Sequence, residues 1–167
     1  MKLRLHPDYI RSIMFGIEDS LVSTTGVVVG VSVGANNRFV VLLAGIVAVA
    51  VEAVSMAAGQ YISERTVHEL RKKSTDNLLI GAALMFFSYL FAGFLPILPL
   101  FIFDYPQSAI MSVVFAFIGL FSLGFIKGTV VKRPWRSAIE VLLIGGIACL
   151  IGIAAGRLLK NIAGSGF

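Results

Sequence analysis

Charged residues are scarce in this sequence and cysteine occurs once, and both shortages restrict the class of protein. Charged residues make up 14% of the 167 and hydrophobic residues 57%, whereas a soluble domain is about a quarter charged. Cys149 lies in an apolar run, which excludes a disulfide framework and a thiolate metal cluster. No GxSxG, P-loop, HExxH or CxxC motif occurs. We therefore expect neither an enzyme nor a bound cofactor.

Long uncharged blocks predict an all-α integral membrane protein with five transmembrane helices. About 18 apolar residues in a helix are enough to cross the hydrocarbon core, and a helix satisfies its own backbone hydrogen bonds in lipid. We predict a single transmembrane domain over residues 1–167, with helices at about 12–34, 39–73, 76–95, 108–126 and 137–156. Pro96 and Pro99 are expected to end the third helix. The first apolar run is too long for a cleavable signal peptide.

Basic residues are concentrated on one side of the predicted bundle. The N-terminal segment and the 63–76 and 127–136 loops hold eleven of the fourteen, against Arg38, Arg157 and Lys160 on the other side. The positive-inside rule then places the N-terminus and a polar extension of helix 2 in the cytoplasm. These loops account for the net charge of +5, so nucleic acid is not an expected partner. Membrane lipid is the expected surrounding, in the plasma membrane of a prokaryote or in a vacuolar or other organelle membrane of a eukaryote.

Glu52 is the most informative residue, because it lies near the middle of helix 2 among alanine and valine. A carboxylate at mid-bilayer costs about 2.5–3.5 kcal/mol on insertion scales, so it must be protonated, paired or bound to a cation. Met56 follows one turn later on the same face. A thioether favours transition metals over Mg²⁺ or Ca²⁺. The plainer interpretations are a protonated glutamate in one interhelical hydrogen bond and a methionine that fills space.

Other acidic residues are weaker candidates for binding a metal ion. Asp19 is followed one turn on by Ser23, which extends a polar stripe into helix 1. Glu18 points about 100° away from Asp19 and suits an ion pair near the headgroups. Glu64 and His68 lie one turn apart on the extension of helix 2, where they form either a metal-capture patch or an ordinary solvated helix face.

Helix 1 carries a ridge of three glycines at four-residue spacing, Gly26, Gly30 and Gly34. Such ridges let two helix backbones approach closely in lipid, which indicates self-association or tight packing on another helix. Five helices are few to enclose a polar path, so a homodimer with the path at its two-fold interface is the economical arrangement. We expect that homodimer to pack through helix 1.

Several segments together resemble the vacuolar iron transporter family. They are residues 19–26 (DSLVSTTG), 43–45 (LAG), 54–61 (VSMAAGQY), 94–99 (FLPILP), 132–137 (KRPWRS) and 143–146 (LIGG). The resemblance implies a homodimer of five-helix protomers that moves Fe²⁺, and often Mn²⁺, out of the cytoplasm in exchange for protons. It also implies an ion path between the two copies of helix 1. Asp19 and Met56 match the family's helix 1 aspartate and its metal-contacting helix 2 methionine.

The sequence departs from the family pattern at four places. Ser20 replaces a glycine and Gln60 a glutamate, and the helix 2 glutamate of some plant members corresponds to Ala48, one turn before Glu52. Residues 63–76 leave no room for the glutamate-rich cytoplasmic metal-binding domain that many members insert. The sequence is therefore identified as a short form of the family.

The resulting hypothesis is a divalent metal exporter in which Asp19 and Met56 bind the ion. Glu52 serves as a further ligand or as a proton carrier. Two alternatives stay open: a non-transporting membrane partner derived from this family, and a channel or carrier for another cation such as Ca²⁺ or for protons alone.

Overall fold

The computed structural model describes residues 7–71 and 77–166, which form five α-helices and no strand. The helices are α1 (Pro7–Ala35), α2 (Arg38–Arg71), α3 (Leu78–Ile102), α4 (Gln107–Val130) and α5 (Pro134–Gly166). All five are long and apolar enough to cross a membrane. This confirms the predicted fold: the chain is an all-α integral membrane protein with five transmembrane helices.

The helix ends differ from the prediction most in α5, which continues to Gly166 and not to about residue 156, and in α3. The expected end at Leu95 is wrong, because α3 continues through Pro96 and Pro99 to Ile102. Each proline removes one backbone hydrogen bond, but an irregular chain in lipid would leave more backbone groups without partners.

Part of the sequence-based prediction lies outside the described residues. This applies to the last two residues of predicted helix 2, to residue 76, and to four of the basic residues counted for topology: Lys2, Arg4, Lys72 and Lys73.

The α1–α2 connection is a tight turn built on two asparagines. Asn36 adopts a positive φ of 49°, a conformation that asparagine tolerates better than most residues. The Asn37 side chain accepts hydrogen bonds from the backbone N–H groups of Phe39 (2.9 Å) and Val40 (3.3 Å) and so caps α2. The Arg38 guanidinium then donates to the carbonyl of Leu100 at 2.6 Å, which ties this turn to the end of α3.

Helix α1 is the centre of the bundle. It packs against all four other helices, while α2 packs on α3, α3 on α4 and α4 on α5. In the described residues α2 and α5 flank α1 without touching each other. α1 is also the least apolar helix and the most buried. Its buried face includes Ser20, Thr24 and Thr25, whose small side chains let the neighbouring helices approach closely.

The glycine ridge of α1 packs against α5 of the same chain. A Cβ at Gly30 would lie 2.9 Å from the carbonyl oxygen of Gly152, and a Cβ at Gly152 or Gly156 would meet the backbone of α1. The structure therefore uses the ridge for tight packing on another helix, the second of the two alternatives. Its outer edge still lines an open groove of about 680 Å³ between α1 and α5, bordered by Gly26 and Gly34.

Candidate functional site

Glu52 lies at the meeting point of three helices. Its carboxylate accepts a hydrogen bond from the Ser23 hydroxyl of α1 at 3.0 Å and another from the Tyr89 hydroxyl of α3. The Ser23 and Tyr89 oxygens are themselves 2.6 Å apart. The intramembrane carboxylate is therefore held by two hydroxyls rather than by a cationic side chain, which fits the expectation that it must be paired or protonated.

Ser20 fixes the turn of α3 that carries Tyr89. The Ser20 hydroxyl is fully buried and donates to the backbone carbonyl of Tyr89 at 2.6 Å. Tyr89 itself is 1% exposed. The substitution of serine for the family's usual glycine thus adds a direct α1–α3 hydrogen bond beside the carboxylate of Glu52.

Asp19 lies one turn from Ser23 on α1 and is half-buried. It is close enough to Glu52 and Glu18 for their charges to act on it. Within the described part of the chain its carboxylate has no hydrogen-bond partner. Met56, also half-buried, follows Glu52 by one turn of α2. Asp19 and Glu52 thus form a pair of acidic groups inside the bundle, and only Glu52 is held by hydrogen bonds.

The described residues of one chain do not bring three or more His, Cys, Asp or Glu side chains together around a point that a metal ion could occupy. Asp19, Glu52 and Met56 offer two carboxylates and one thioether, and of these three side chains Glu52 is the one with hydrogen bonds to other helices in the described residues.

The structure separates Glu18 from this group. Its carboxylate pairs with the ammonium of Lys127 in α4 at 3.1 Å, with the Glu18 side chain 20% exposed. Glu18 therefore contributes an ion pair to the α1–α4 contact. An ion pair is one of the roles that the sequence suggested for it.

The interpretation of Glu64 as part of an ordinary solvated helix face is wrong. It is 8% exposed and is enclosed by α1 and α3. The Arg11 guanidinium contacts its carboxylate at 3.3 Å, and the Gln60 amide donates to the same oxygen and also to the Ser12 hydroxyl at 3.0 Å. Gly81 of α3 provides the space, since a Cβ there would lie 3.1 Å from the other carboxylate oxygen.

His68 lies one turn beyond Glu64 and is half-buried. The nearby Glu69 pairs with Arg65 at 3.0 Å on the exposed side of α2. Glu64 is thus buried between the helices, whereas His68 lies on a more open part of α2. The two residues do not share one exposed patch.

Sequence reasoning did not identify Tyr89, Arg11, Ser12 or Gly81. A signal existed for Tyr89, because a tyrosine in the middle of an apolar span needs a partner for its hydroxyl. The other three are ordinary in sequence and become informative only through the helix that lies opposite.

Comparisons with known proteins agree with this architecture. The sequence matches the VIT family over residues 10–79 and 67–157. It is 24% identical to vacuolar iron transporter 1 of Arabidopsis thaliana, over 92% of this chain and 87% of the relative. It is 25% identical to vacuolar iron transporter homolog 2 of the same plant, over 90% of this chain and 84% of the relative. Both relatives are named as transporters, in keeping with the expectation of a protein that is not an enzyme. The chain belongs to the VIT family.

Proposed function

We propose that this protein transports a divalent transition-metal ion, Fe²⁺ first and Mn²⁺ next, out of the cytoplasm in exchange for protons. The observation that carries the proposal is the pair Asp19 and Glu52, two carboxylates inside the membrane-spanning bundle, one of which has no hydrogen-bond partner in the described residues. Holding such groups in lipid is costly, and they mark ion pathways in membrane proteins. The names of the Arabidopsis relatives support iron as the transported ion.

The chemistry of the donors favours a transition metal. Two carboxylates alone suit Mg²⁺, Ca²⁺ or Mn²⁺, whereas an added thioether shifts the preference towards softer ions. Met56, one turn from Glu52, supplies that thioether. The ion would be held by Asp19 and Met56, with Glu52 as a further ligand.

Proton exchange is supported by the number of hydrogens around Glu52. Three oxygen–oxygen contacts join Ser23, Tyr89 and Glu52. The two hydroxyls carry one hydrogen each, so an ionised Glu52 leaves one contact without a hydrogen. A protonated Glu52 supplies the third. We therefore propose Glu52 as the proton carrier of the exchange.

A homodimer would complete the path. α1 has an open face between α2 and α5, which do not touch each other in the described residues, and the groove on the α5 side is lined by Ser23 and Gly26. A second copy placed on this face by two-fold symmetry would bring two sets of Asp19 and Met56 together. The end of the bundle with Arg11 and Arg65 would face the cytoplasm, following the basic loops.

Uptake into proteoliposomes tests the proposal. We expect Fe²⁺ and Mn²⁺, but not Ca²⁺, to enter against a proton gradient, and Asp19→Ala or Met56→Ala to reduce uptake at least about tenfold, as expected for loss of a metal-binding group. Asp104→Asn and Met111→Ala are matched controls, because Asp104 is 99% exposed in a loop and Met111 lies on α4. Unchanged uptake by both site variants would refute the site, and no metal uptake by the wild type would favour a non-transporting partner.

A further inference from the structure

The face of α2 that carries Glu52 continues as a polar stripe to one end of the bundle. Glu52, Met56, Gln60 and Glu64 recur every four residues, which places them on one side of the helix over about 18 Å. Three of the four contact α1: Glu52 through Ser23, Gln60 through Ser12 and Glu64 through Arg11. The stripe therefore follows the α1–α2 seam from the interior to the proposed cytoplasmic end.

The two members of the Arg11–Glu64 pair differ sharply in exposure. The Glu64 side chain is 10% exposed and the Arg11 side chain 65%. Glu64 is fixed by Gln60 and by its close approach to Gly81, so its carboxylate cannot leave the seam. The Arg11 guanidinium is largely in water, so its ion pair with Glu64 is screened by solvent on the arginine side. The arginine can therefore be exchanged for another cation.

We propose that Glu64 is the first carboxylate an incoming divalent ion meets, and that Arg11 is a tethered counter-ion which the ion must displace. This inference rests on the proposed function, since it concerns access to the same path. With Arg11 in place the buried charge of Glu64 is compensated, and the guanidinium occupies the contact that the ion would take. An ion with two positive charges replaces the guanidinium, passes Gln60 and reaches Met56, and Arg11 then returns.

An ordinary structural tie between α1 and α2 is the competing explanation, and it predicts a different pattern. If the pair only holds two helices together, loss of either partner has the same effect. If Arg11 competes with the ion for Glu64, the two losses act in opposite directions on the KM for the metal. In that case Arg11 also has no influence once Glu64 is gone.

Uptake kinetics of four variants separate these cases. We expect Arg11→Gln to lower the KM for Fe²⁺ about two- to fivefold, because the competing cation is removed. Glu64→Gln should raise it, the double variant should match Glu64→Gln, and Arg11→Lys should stay near the wild type. Arg65→Gln is the matched control. It removes a positive charge from the same end of the bundle, but from the exposed Arg65–Glu69 pair of α2, which lies outside the seam.

A second readout does not depend on transport. Cys149 is the only cysteine, so Cys149→Ser provides a background for Ala57→Cys, at a half-buried position of α2 one turn inside Gln60. A charged thiol reagent should label this cysteine faster when Arg11→Gln is added, and at an unchanged rate with Arg65→Gln.

The outcomes also separate this inference from the proposed function. Shifts of KM in the same direction for Arg11→Gln and Glu64→Gln, or labelling unaffected by Arg11→Gln, would overturn the tethered counter-ion while Asp19→Ala still abolished uptake. Absence of metal uptake by the wild type would instead overturn the proposed function. It would also overturn the claim that a metal ion displaces Arg11, whatever the rate of cysteine labelling.

Discussion

The hydroxyl of Tyr89 links α3 to the cluster around Glu52. The ring is buried, and among the described residues the hydroxyl has Glu52 and Ser23 as hydrogen-bond partners. Removing the hydroxyl would leave the ring in place, and the carboxylate of Glu52 would lose one of its two hydrogen-bond donors.

We expect Tyr89→Phe to impair proton-coupled transport more than stability. An interhelical hydrogen bond in a membrane is worth about 0.6 kcal/mol, so the melting temperature should fall by only a few degrees. Metal uptake should lose part of its dependence on the pH gradient, because the carboxylate of Glu52 loses one of the two hydroxyl donors that hold it in place. Uptake measured at several external pH values checks this.

Tyr105→Phe is the matched control for that experiment. The Tyr105 hydroxyl also donates to α1, to the carbonyl of Ser32 at 2.9 Å. Tyr105 lies in the α3–α4 connection, and Ser32 is more than two helical turns along α1 from Ser23, the residue that contacts Glu52. Its loss should lower stability by a similar amount and leave the pH dependence unchanged. Equal effects of the two variants on the pH profile would contradict a special role for Tyr89.

At the scale of the helices, the contact between α1 and α5 depends on the absence of side chains. Gly30 and Gly152 approach so closely that a methyl group on either would meet backbone of the other helix. Backbone cannot move aside as a flexible side chain can, so the two helices would have to separate.

We expect Gly30→Ala and Gly152→Ala to destabilise the protein by about 1–3 kcal/mol, the usual cost of overpacking. Gly146→Ala on α5 is the control, because nothing lies within 4 Å of the added methyl group. That change should be neutral or stabilise by up to about 1 kcal/mol, since alanine is the better helix former. Thermal unfolding in detergent compares the three, and equal stability would show that α1 and α5 do not meet as described.

The helices also show how far a sequence alone can lead. Hydropathy predicted all five spans, because the requirement for an apolar helix in lipid is local in sequence. The predicted end of α3 at Leu95 is wrong, because the prediction weighs the cost of a proline within a helix in water and not the greater cost of an open backbone in lipid. Spacing predicts Glu52 and Met56 on one face of α2, but it carries no information about which helix lies opposite.

The candidate site residues stay a prediction, although the sequence explains why they were chosen. Asp19, Glu52 and Met56 stand out from the sequence because charge and sulfur are rare in the apolar blocks. The burial of Glu64 was not predictable, since it depends on a glycine in α3 and an arginine in α1 that are far away along the chain. Partners of this kind are set by the packing of the helices.

At the scale of the whole molecule, the arrangement is asymmetric around α1. α2 and α3 lie on one side, with the hydroxyls and carboxylates of the seam, and α4 and α5 lie on the other, with the glycine contact. Large apolar side chains cover the outer faces of both sides, including Leu43, Val47, Leu143 and Ile147. The two sides also meet directly where α3 packs on α4, but α1 contacts all four other helices and carries the face proposed for the second copy.

The open face of α1 has a consequence for genetics as well as for transport. If two copies share one path there, a defective copy also disables its normal partner, and the phenotype is dominant. With wild-type and Asp19→Ala chains co-expressed in equal amounts and pairing at random, only about a quarter of the dimers would be fully wild type. We expect uptake to fall towards the square of the wild-type fraction, measured in proteoliposomes made from defined mixtures. A linear decline would mean that each copy transports alone.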